Sequence, residues 1–255
     1  MKKLALATAT LAAMAGTSAF AADTYRAEVG VGYDQISPDG GDDIGNYNIY
    51  GDFYFKEVDT SKGPLAEAAF LDKASNVGLT YADSDVDGSK AAITLDTRIV
   101  LGEKWIIEAA YTDHDETSIY NIAGGLYITD NVDLVVNYAD RDTASDLGVK
   151  AHGVHSVGSA DAAIAWTGGY TETSYDADID NVGVLAGDFT YYFNKMLGLG
   201  VNAAFASDGD DNTNTYGIHA DWFVVNNVEL SAKYSMTSSD FADTSMLGVA
   251  ALVRF

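Results

Sequence analysis

The sequence predicts an all-β protein, a transmembrane antiparallel up-and-down β-barrel of about 14 strands, on the strength of three observations. Apolar and polar residues alternate with a period of two along most of the chain, which is typical of strands with two different faces. Short turns alternate with longer acidic loops between these strands. Aromatic residues recur at both ends of the apolar phase, where a membrane barrel meets its two interfaces.

The last predicted strand, Thr244 to Phe255, shows the alternation clearly. Every second residue back from Phe255 is apolar, whereas the intervening positions are smaller and include Arg254. A strand that ends the chain in this way has a free edge, and an unpaired edge within a membrane leaves costly backbone groups. We therefore expect this strand to pair with the first predicted strand, 25–34, and close the barrel.

Composition and the N-terminus narrow the class of protein. The absence of cysteine excludes disulfides and thiolate chemistry, and a formal charge of −24 argues against a nucleic-acid partner. Lys2 and Lys3, a short apolar run and Ala19-Phe20-Ala21 predict a secretory signal peptide over 1–21. The mature barrel is then 22–255. No later stretch is apolar over the ~18 residues of a spanning helix, so an exported chain of this kind is either soluble or a β-barrel.

The remaining elements follow in order along the chain. The predicted strands are 25–34, 46–56, 76–82, 89–100, 104–112, 118–129, 132–140, 147–156, 162–172, 181–193, 197–206, 214–224, 228–237 and 244–255. The exception is the long connection Glu57 to Ser75. In it, Gly63-Pro64 followed by LAEAAFLDKA predicts a short helix near 63–74, with proline in its first turn. This segment is either a simple connection or a plug across the barrel opening.

The connections and aromatic residues give the barrel two distinct ends. The longer acidic loops are 35–45, 83–88, 113–117, 141–146, 173–180, 207–213 and 238–243, and they carry one basic residue, Arg141. Short turns opposite longer loops are the topology of outer-membrane barrels. The predicted aromatic girdle at the loop end is Tyr33, Tyr81, Tyr111, Tyr138, Tyr170, Phe205 and Tyr234. The girdle at the short-turn end is Tyr25, Phe53, Trp105, Phe189, Tyr191, Trp222 and Phe255.

The inward phase of the strands supplies the predicted pore lining. Its charged and histidine residues are Arg26, Glu28, Asp52, Lys56, Asp96, Arg98, Glu108, Asp133, Lys150, His152, Asp188, His219, Asp221, Glu229, Lys233 and Arg254. A dry core could not hold so many charges unless they were paired, because an unpaired buried ion costs several kcal/mol. We expect either a narrow water-filled passage or a lumen closed by ion pairs or by 57–75.

The leader MKKLALATATLAAMAGTSAFA, the girdled hairpins and the terminal Phe255 after Val253 and Ala251 resemble Gram-negative outer-membrane porins. The segment GPLAEAAFL (Gly63 to Leu71) resembles one in the family of putative general bacterial porins. The resemblance implies location in the bacterial cell outer membrane, contact with its lipid and lipopolysaccharide, and insertion by the barrel-assembly machinery, with Phe255 in the assembly signal. It also implies acidic loops outside the cell and short turns in the periplasm. No outer loop is long enough to fold inward as in trimeric general porins, which favours a monomer.

These features predict a passive channel for small hydrophilic solutes or cations. The acidic loops favour a mild cation preference, and they could also hold divalent cations that bridge lipopolysaccharide. The alternative is a structural or adhesive barrel with a closed lumen. We predict no enzyme activity, cofactor or dedicated metal site. His114 has acidic neighbours but no evident nucleophile, and the calcium-like run Asp83 to Gly88 has Thr94 where a calcium loop needs glutamate.

Overall fold

The computed structural model describes residues 23–115, 117–158, 161–176, 180–209, 211–239 and 242–255. Over these residues it forms a closed barrel of fourteen antiparallel strands, in which each strand pairs with its neighbours in sequence and β1 pairs with β14. The predicted fold class is therefore confirmed. The strands are β1 Thr24–Pro38, β2 Ile44–Asp59, β3 Asn76–Ser84, β4 Ala92–Leu101, β5 Trp105–His114, β6 Thr117–Thr129, β7 Val132–Arg141, β8 Ala144–Ser156, β9 Ala163–Tyr175, β10 Val182–Asn194, β11 Leu197–Ser207, β12 Asn212–Val225, β13 Val228–Ser239 and β14 Thr244–Arg254.

In the described part of the chain, no helix is both long and apolar enough to cross a membrane. The predicted signal peptide, 1–21, lies outside the described residues.

The first and last strands close the barrel as the sequence predicts. Their register runs from Glu28 opposite Arg254 to Pro38 opposite Thr244. Phe255 extends the pairing, because its backbone N–H donates to the Ala27 carbonyl at 2.9 Å. Closure leaves no open sheet edge, which is what a hydrocarbon environment requires.

The period-two alternation sorts side chains between two faces. Large apolar residues of the predicted lipid-facing phase are exposed on the outside, for example Ile122, Ile218 and Leu247 at 63%, 60% and 55% of their surface. Residues directly opposite one another in an antiparallel pair share a face, so the register carries this assignment around the barrel. The inner row Glu28–Asp52–Gly78–Asp96 is one example.

At the loop end of the barrel, the strand boundaries differ from the prediction. Strands β7 and β8 extend through Arg141 and from Ala144, so most of the predicted loop 141–146 is strand. His114 and Thr117 likewise belong to β5 and β6. Most loops at this end are therefore shorter than the sequence predicts, because polar residues can continue a strand beyond the apolar belt. The connection between β3 and β4, 85–91, is the exception, because β4 begins later than predicted.

The predicted short helix lies in the connection between β2 and β3, which we call the inner segment (residues 60–75). A 3-10 turn, Leu65–Glu67, follows Pro64 and leads into one turn of α-helix, α1 (Ala68–Leu71). Helix α1 is too short to be stable alone, so its conformation depends on packing within the barrel. The inner segment starts and ends at the short-turn end and folds inward.

Candidate functional site

The candidate site is the interior of the barrel, and the structure places fifteen of the sixteen predicted charged or histidine positions on its inner face. Register links Glu28, Asp52 and Asp96 across β1 to β4. It also pairs Arg98 with Glu108, Asp133 with His152, and His219 with Lys233. The other inner positions are Lys56, Lys150, Asp188, Asp221, Glu229 and Arg254.

Arg26 is the exception, and Tyr25 changes face with it. The backbone N–H groups of Arg26 and Ala27 both donate to the Phe255 carbonyl, at 2.6 and 3.2 Å, which marks a β-bulge. The guanidinium of Arg26 therefore lies over the outward-facing Phe53 ring, 5.5 Å from its centre. Tyr25 turns inward, where it is only 4% exposed. The predicted lumen position of Arg26 and the predicted girdle position of Tyr25 are thus wrong.

A buried charge network joins three strands near the short-turn end. Arg98 forms ion pairs with both Glu108 and Asp133. Asp133 is only 1% exposed, and it also accepts the His152 backbone N–H at 3.2 Å. A carboxylate this deeply buried requires a paired cation, because its desolvation costs several kcal/mol. The network therefore fixes β4, β5 and β7 against one another on the inner side.

Polar contacts tie the inner segment to opposite sides of the barrel wall. The Arg254 guanidinium donates to the Leu65 carbonyl at 2.8 Å and pairs with Glu28 at 3.0 Å. The Glu67 carboxylate lies 3.0 Å from His152 Nε2 on β8 and accepts the Tyr192 hydroxyl of β10 at 3.3 Å. These anchors come from β14, β8 and β10, so the segment crosses the opening and does not follow one edge of it.

Further ion pairs hold the two ends of the inner segment. Lys56 and Lys62 both pair with Asp72, which is 7% exposed. Lys73 pairs at 3.1 Å with Asp130 in the turn between β6 and β7. The segment therefore contributes two lumen carboxylates, Glu67 and Asp72, that the sequence interpretation did not include in the site.

Apolar contacts also hold the inner segment against the barrel wall. Phe70 packs between the Tyr127 and His152 rings, with ring centres 5.5 and 4.3 Å away. Ala68 is buried in a cluster with Tyr25, Tyr54 and Val58. The short-turn end of the lumen is thus narrowed by side chains.

Two cavities lie between the inner segment and the loop end. The larger, about 460 Å³, is bounded by β1, β2 and β10 to β14, and Asn48, Tyr50, Asp188, Asp221 and Lys233 contribute to its wall. The second, about 410 Å³, is bounded by β7 to β11 and includes Lys150. Asp188 and Asn202 line both cavities. The lumen above the inner segment is therefore polar and spacious enough to hold water.

Small residues on the inner face allow large neighbours to lie flat along the wall. A Cβ on Gly30 would lie 2.1 Å from the Tyr50 ring, and one on Gly200 would lie 2.2 Å from the His219 ring. Each ring occupies the space above a glycine on the adjacent strand. This arrangement keeps both rings out of the middle of the lumen.

The calcium-like run near residue 83 is engaged within the protein. Asp83 accepts hydrogen bonds from the Tyr47 and Tyr81 hydroxyls, and Asp85 accepts the Gly45 backbone N–H at 2.7 Å. These contacts join the loop between β3 and β4 to β2. Among the described residues, no group of three or more His, Asp or Glu side chains could hold a metal ion.

The sequence interpretation missed the aromatic residues that surround the inner segment. Tyr54, Tyr127, Tyr192 and Phe223 face inward near the short-turn ends of β2, β6, β10 and β12, and all four are nearly buried. A signal was present, because inward-phase aromatics are concentrated at this end of the strands. Four large rings at one level narrow this end of the lumen.

Comparison with known proteins identifies the family. Residues 1–185 match the family described as "Putative general bacterial porin". No curated protein matches the chain. Among solved structures, Omp33 of Acinetobacter baumannii is similar, with a TM-score of 0.72 and 22% identity over 91% of this chain and 99% of that one. A bacterial polysaccharide outer-membrane secretin has a TM-score of 0.58 and 8% identity, over 91% and 99% of the two chains.

At these identities the solved structures establish a shared fold, and the family match establishes kinship over more than half of the chain. The closed barrel with an apolar, girdled outer face and a charged inner face agrees with both. The protein is a β-barrel of the bacterial outer membrane and belongs to the family of putative general bacterial porins.

Proposed function

We propose that the protein is a passive channel for small hydrophilic solutes, with a mild preference for cations and a narrow periplasmic exit. In this proposal the acidic loops face the cell exterior and the short turns face the periplasm. The inner segment then lies at the periplasmic end.

The observation that carries the proposal is the polar space above the inner segment. Its two cavities share Asp188 and Asn202, so they form one continuous polar region along the wall. Asp221 lines the larger cavity and accepts no hydrogen bond or ion pair from the residues that the structure describes. Unpartnered carboxylates of this kind require water or mobile cations around them. A hydrated lumen supports transport of small polar solutes.

Charge supports the preference for cations. The loops at the extracellular end are acidic, and Lys90 and Arg141 at that end are each paired with a carboxylate, Asp115 and Asp146. Solvent and salt limit such fields to about 8–10 Å at physiological ionic strength, so the effect is modest. Chloride is disfavoured over potassium at the mouth, and less so at high salt.

Planar-bilayer recordings test the channel directly. Folded protein should give stable single-channel currents, and a KCl gradient should give a reversal potential of the sign for potassium over chloride. The selectivity should fall as the salt concentration rises, because screening shortens the reach of the loop charges. Folded, heat-modifiable barrel that gives no current would contradict the proposal.

A second candidate function is a structural or adhesive barrel with a closed lumen. The contacts of the inner segment with β8, β10 and β14 favour this reading. The same recordings separate the two candidates, because a closed barrel carries no current at any salt concentration. Swelling of vesicles in solutions of small sugars provides an independent readout of permeability.

We also propose that Phe255 serves as the assembly signal and that the barrel functions as a monomer in contact with lipid and lipopolysaccharide. The Phe255 ring is partly exposed while its backbone joins β1. Phe255→Ala should reduce the yield of folded barrel in the outer membrane more than it changes the conductance of molecules that fold. A Phe255→Trp variant, which keeps an aromatic end, is the matched control. An unchanged yield for the alanine variant would remove the role of the ring in assembly.

A further inference from the structure

We infer that the lumen contains a binding site for small zwitterions, solutes of amino-acid size that carry one ammonium and one carboxylate. Lys150 would receive the carboxylate and Asp188 the ammonium. This inference rests on the proposed channel function and specifies its solute class.

The cation of this site is a lumen lysine that has no partner. Lys150 lies on the inner face of β8 opposite Val135 and Gly169, and its side chain is exposed to the smaller cavity. It makes no hydrogen bond or ion pair with the residues that the structure describes. The other inner basic side chains differ, because Arg98, Lys233 and Arg254 are each paired with a carboxylate. Lys150 is therefore available to bind an anionic group.

The anion of this site lies two strands away, on β10. Asp188 is 38% exposed and belongs to the walls of both cavities. Its internal contacts are long: Thr190 donates to it at 3.3 Å, and His219 Nδ1 lies 3.5 Å away. Thr190 also lies 2.9 Å from His219 Nε2, which holds the imidazole in place. The carboxylate thus keeps acceptor capacity toward the cavities.

Lys150 and Asp188 line one cavity without forming an ion pair with each other. Both belong to the wall of the smaller cavity, and no salt bridge joins them among the described residues. Thr167, which also lines this cavity, is directly opposite Asp188. Two separated opposite charges in one polar cavity match a solute with an ammonium at one end and a carboxylate at the other. The larger cavity adds Asp221 on the Asp188 side, which favours this orientation.

A calorimetric titration of folded barrel in detergent micelles tests this site. The three probes share a four-carbon chain. 4-Aminobutyrate carries both charges, butyrate carries only the negative charge, and butylammonium carries only the positive charge. 4-Aminobutyrate should bind about tenfold more tightly than either analogue, the effect of one additional charge-assisted contact. Lys150→Gln should abolish its advantage over butylammonium, and Asp188→Asn its advantage over butyrate.

The control is Lys104→Gln, because Lys104 lies on the outside over the Trp105 ring. It should leave the affinities for all three probes unchanged. Butylammonium binding as tightly as 4-aminobutyrate would mean a simple cation site and would overturn the inference. Absence of saturable binding in a barrel that conducts ions would overturn the inference alone. A barrel that neither binds nor conducts would overturn the proposed channel as well.

Discussion

The two ends of the lumen are built from the same fourteen strands but differ in what their inner faces carry. Toward the loop end, the inner face is rich in glycine, threonine and asparagine, and two polar cavities remain. At the short-turn end, inward aromatic rings and the inner segment narrow the cross-section. Strand number therefore does not set the width of this passage by itself. The size of the inner residues and one inward-folded connection set it at each level.

The pairing of the inner charges also differs along the lumen. At the short-turn end, Arg98 and Arg254 are tied to carboxylates and carbonyls and are largely buried. At the level of the cavities, Lys150 and Asp221 have no such partner among the described residues. Paired charges stabilise a closed structure, whereas unpaired charges in water attract solutes. The same inner phase thus serves stability at the short-turn end and solute contact at the level of the cavities.

Removing the inner segment should have the largest effect on this comparison. Tyr54 on β2 pairs directly with Asn76 on β3, so a short turn can replace residues between them. Replacing 62–73 with a short Gly-Ser linker should raise single-channel conductance several-fold, because the side chains that narrow the exit are removed. Planar-bilayer recording measures this.

Glu67→Gln provides a milder version of the same experiment, because it weakens the contact with His152 and keeps the chain length. It should lengthen the open time without changing the fully open conductance. A loop-end control, in which the exposed Lys90 is replaced by Gln, should alter neither quantity. Unchanged conductance after the linker replacement would mean that the inner segment is only a connection.

Arg98→Ala should produce the next largest effect, on stability. It leaves the buried Asp133 without its cation, and breaking a buried pair in this way costs about 3 kcal/mol. The free energy of unfolding, measured by urea titration in lipid vesicles, reports this loss. Lys90→Ala is the matched change at the loop end, where an exposed pair contributes about 0–1 kcal/mol. Equal losses for the two variants would remove the distinction between the ends.

The sequence predicted the barrel well because its main signal is local. A period of two survives in each strand by itself, so positions such as Ile122, Leu247 and Asp221 are assigned to their faces without knowledge of any partner. Fourteen strands and the pairing of the first with the last follow from the same pattern. The strand order is then the simplest one that closes the sheet.

What the sequence could not predict depends on contacts between distant residues. The bulge at Arg26 forms where the backbone N–H groups of Arg26 and Ala27 both donate to the carbonyl of Phe255, which lies at the other end of the chain. The partners of Glu67 are likewise 85 and 125 residues away. No local pattern distinguishes a connection that folds inward from one that does not. The GPLAEAAFL stretch predicted a helix, but only the surrounding wall determines where that helix lies.

Gly200→Ala should produce the smallest effect, a partial narrowing of the wide region. The new methyl carbon would lie 2.2 Å from the His219 ring, a distance that atoms do not tolerate, so the ring has to move away from the wall. Because His219 and Asp188 share a cavity wall, the displaced ring enters the space available to solutes. Conductance should therefore fall modestly while the stability changes little. Gly124→Ala is the control, because a Cβ there meets no atom within 4 Å, and it should leave conductance unchanged.

If the variant lacking 62–73 shows a larger loss from Gly200→Ala than the full-length barrel does, the exit controls flow in the native protein. Equal fractional losses would place the control at the level of His219.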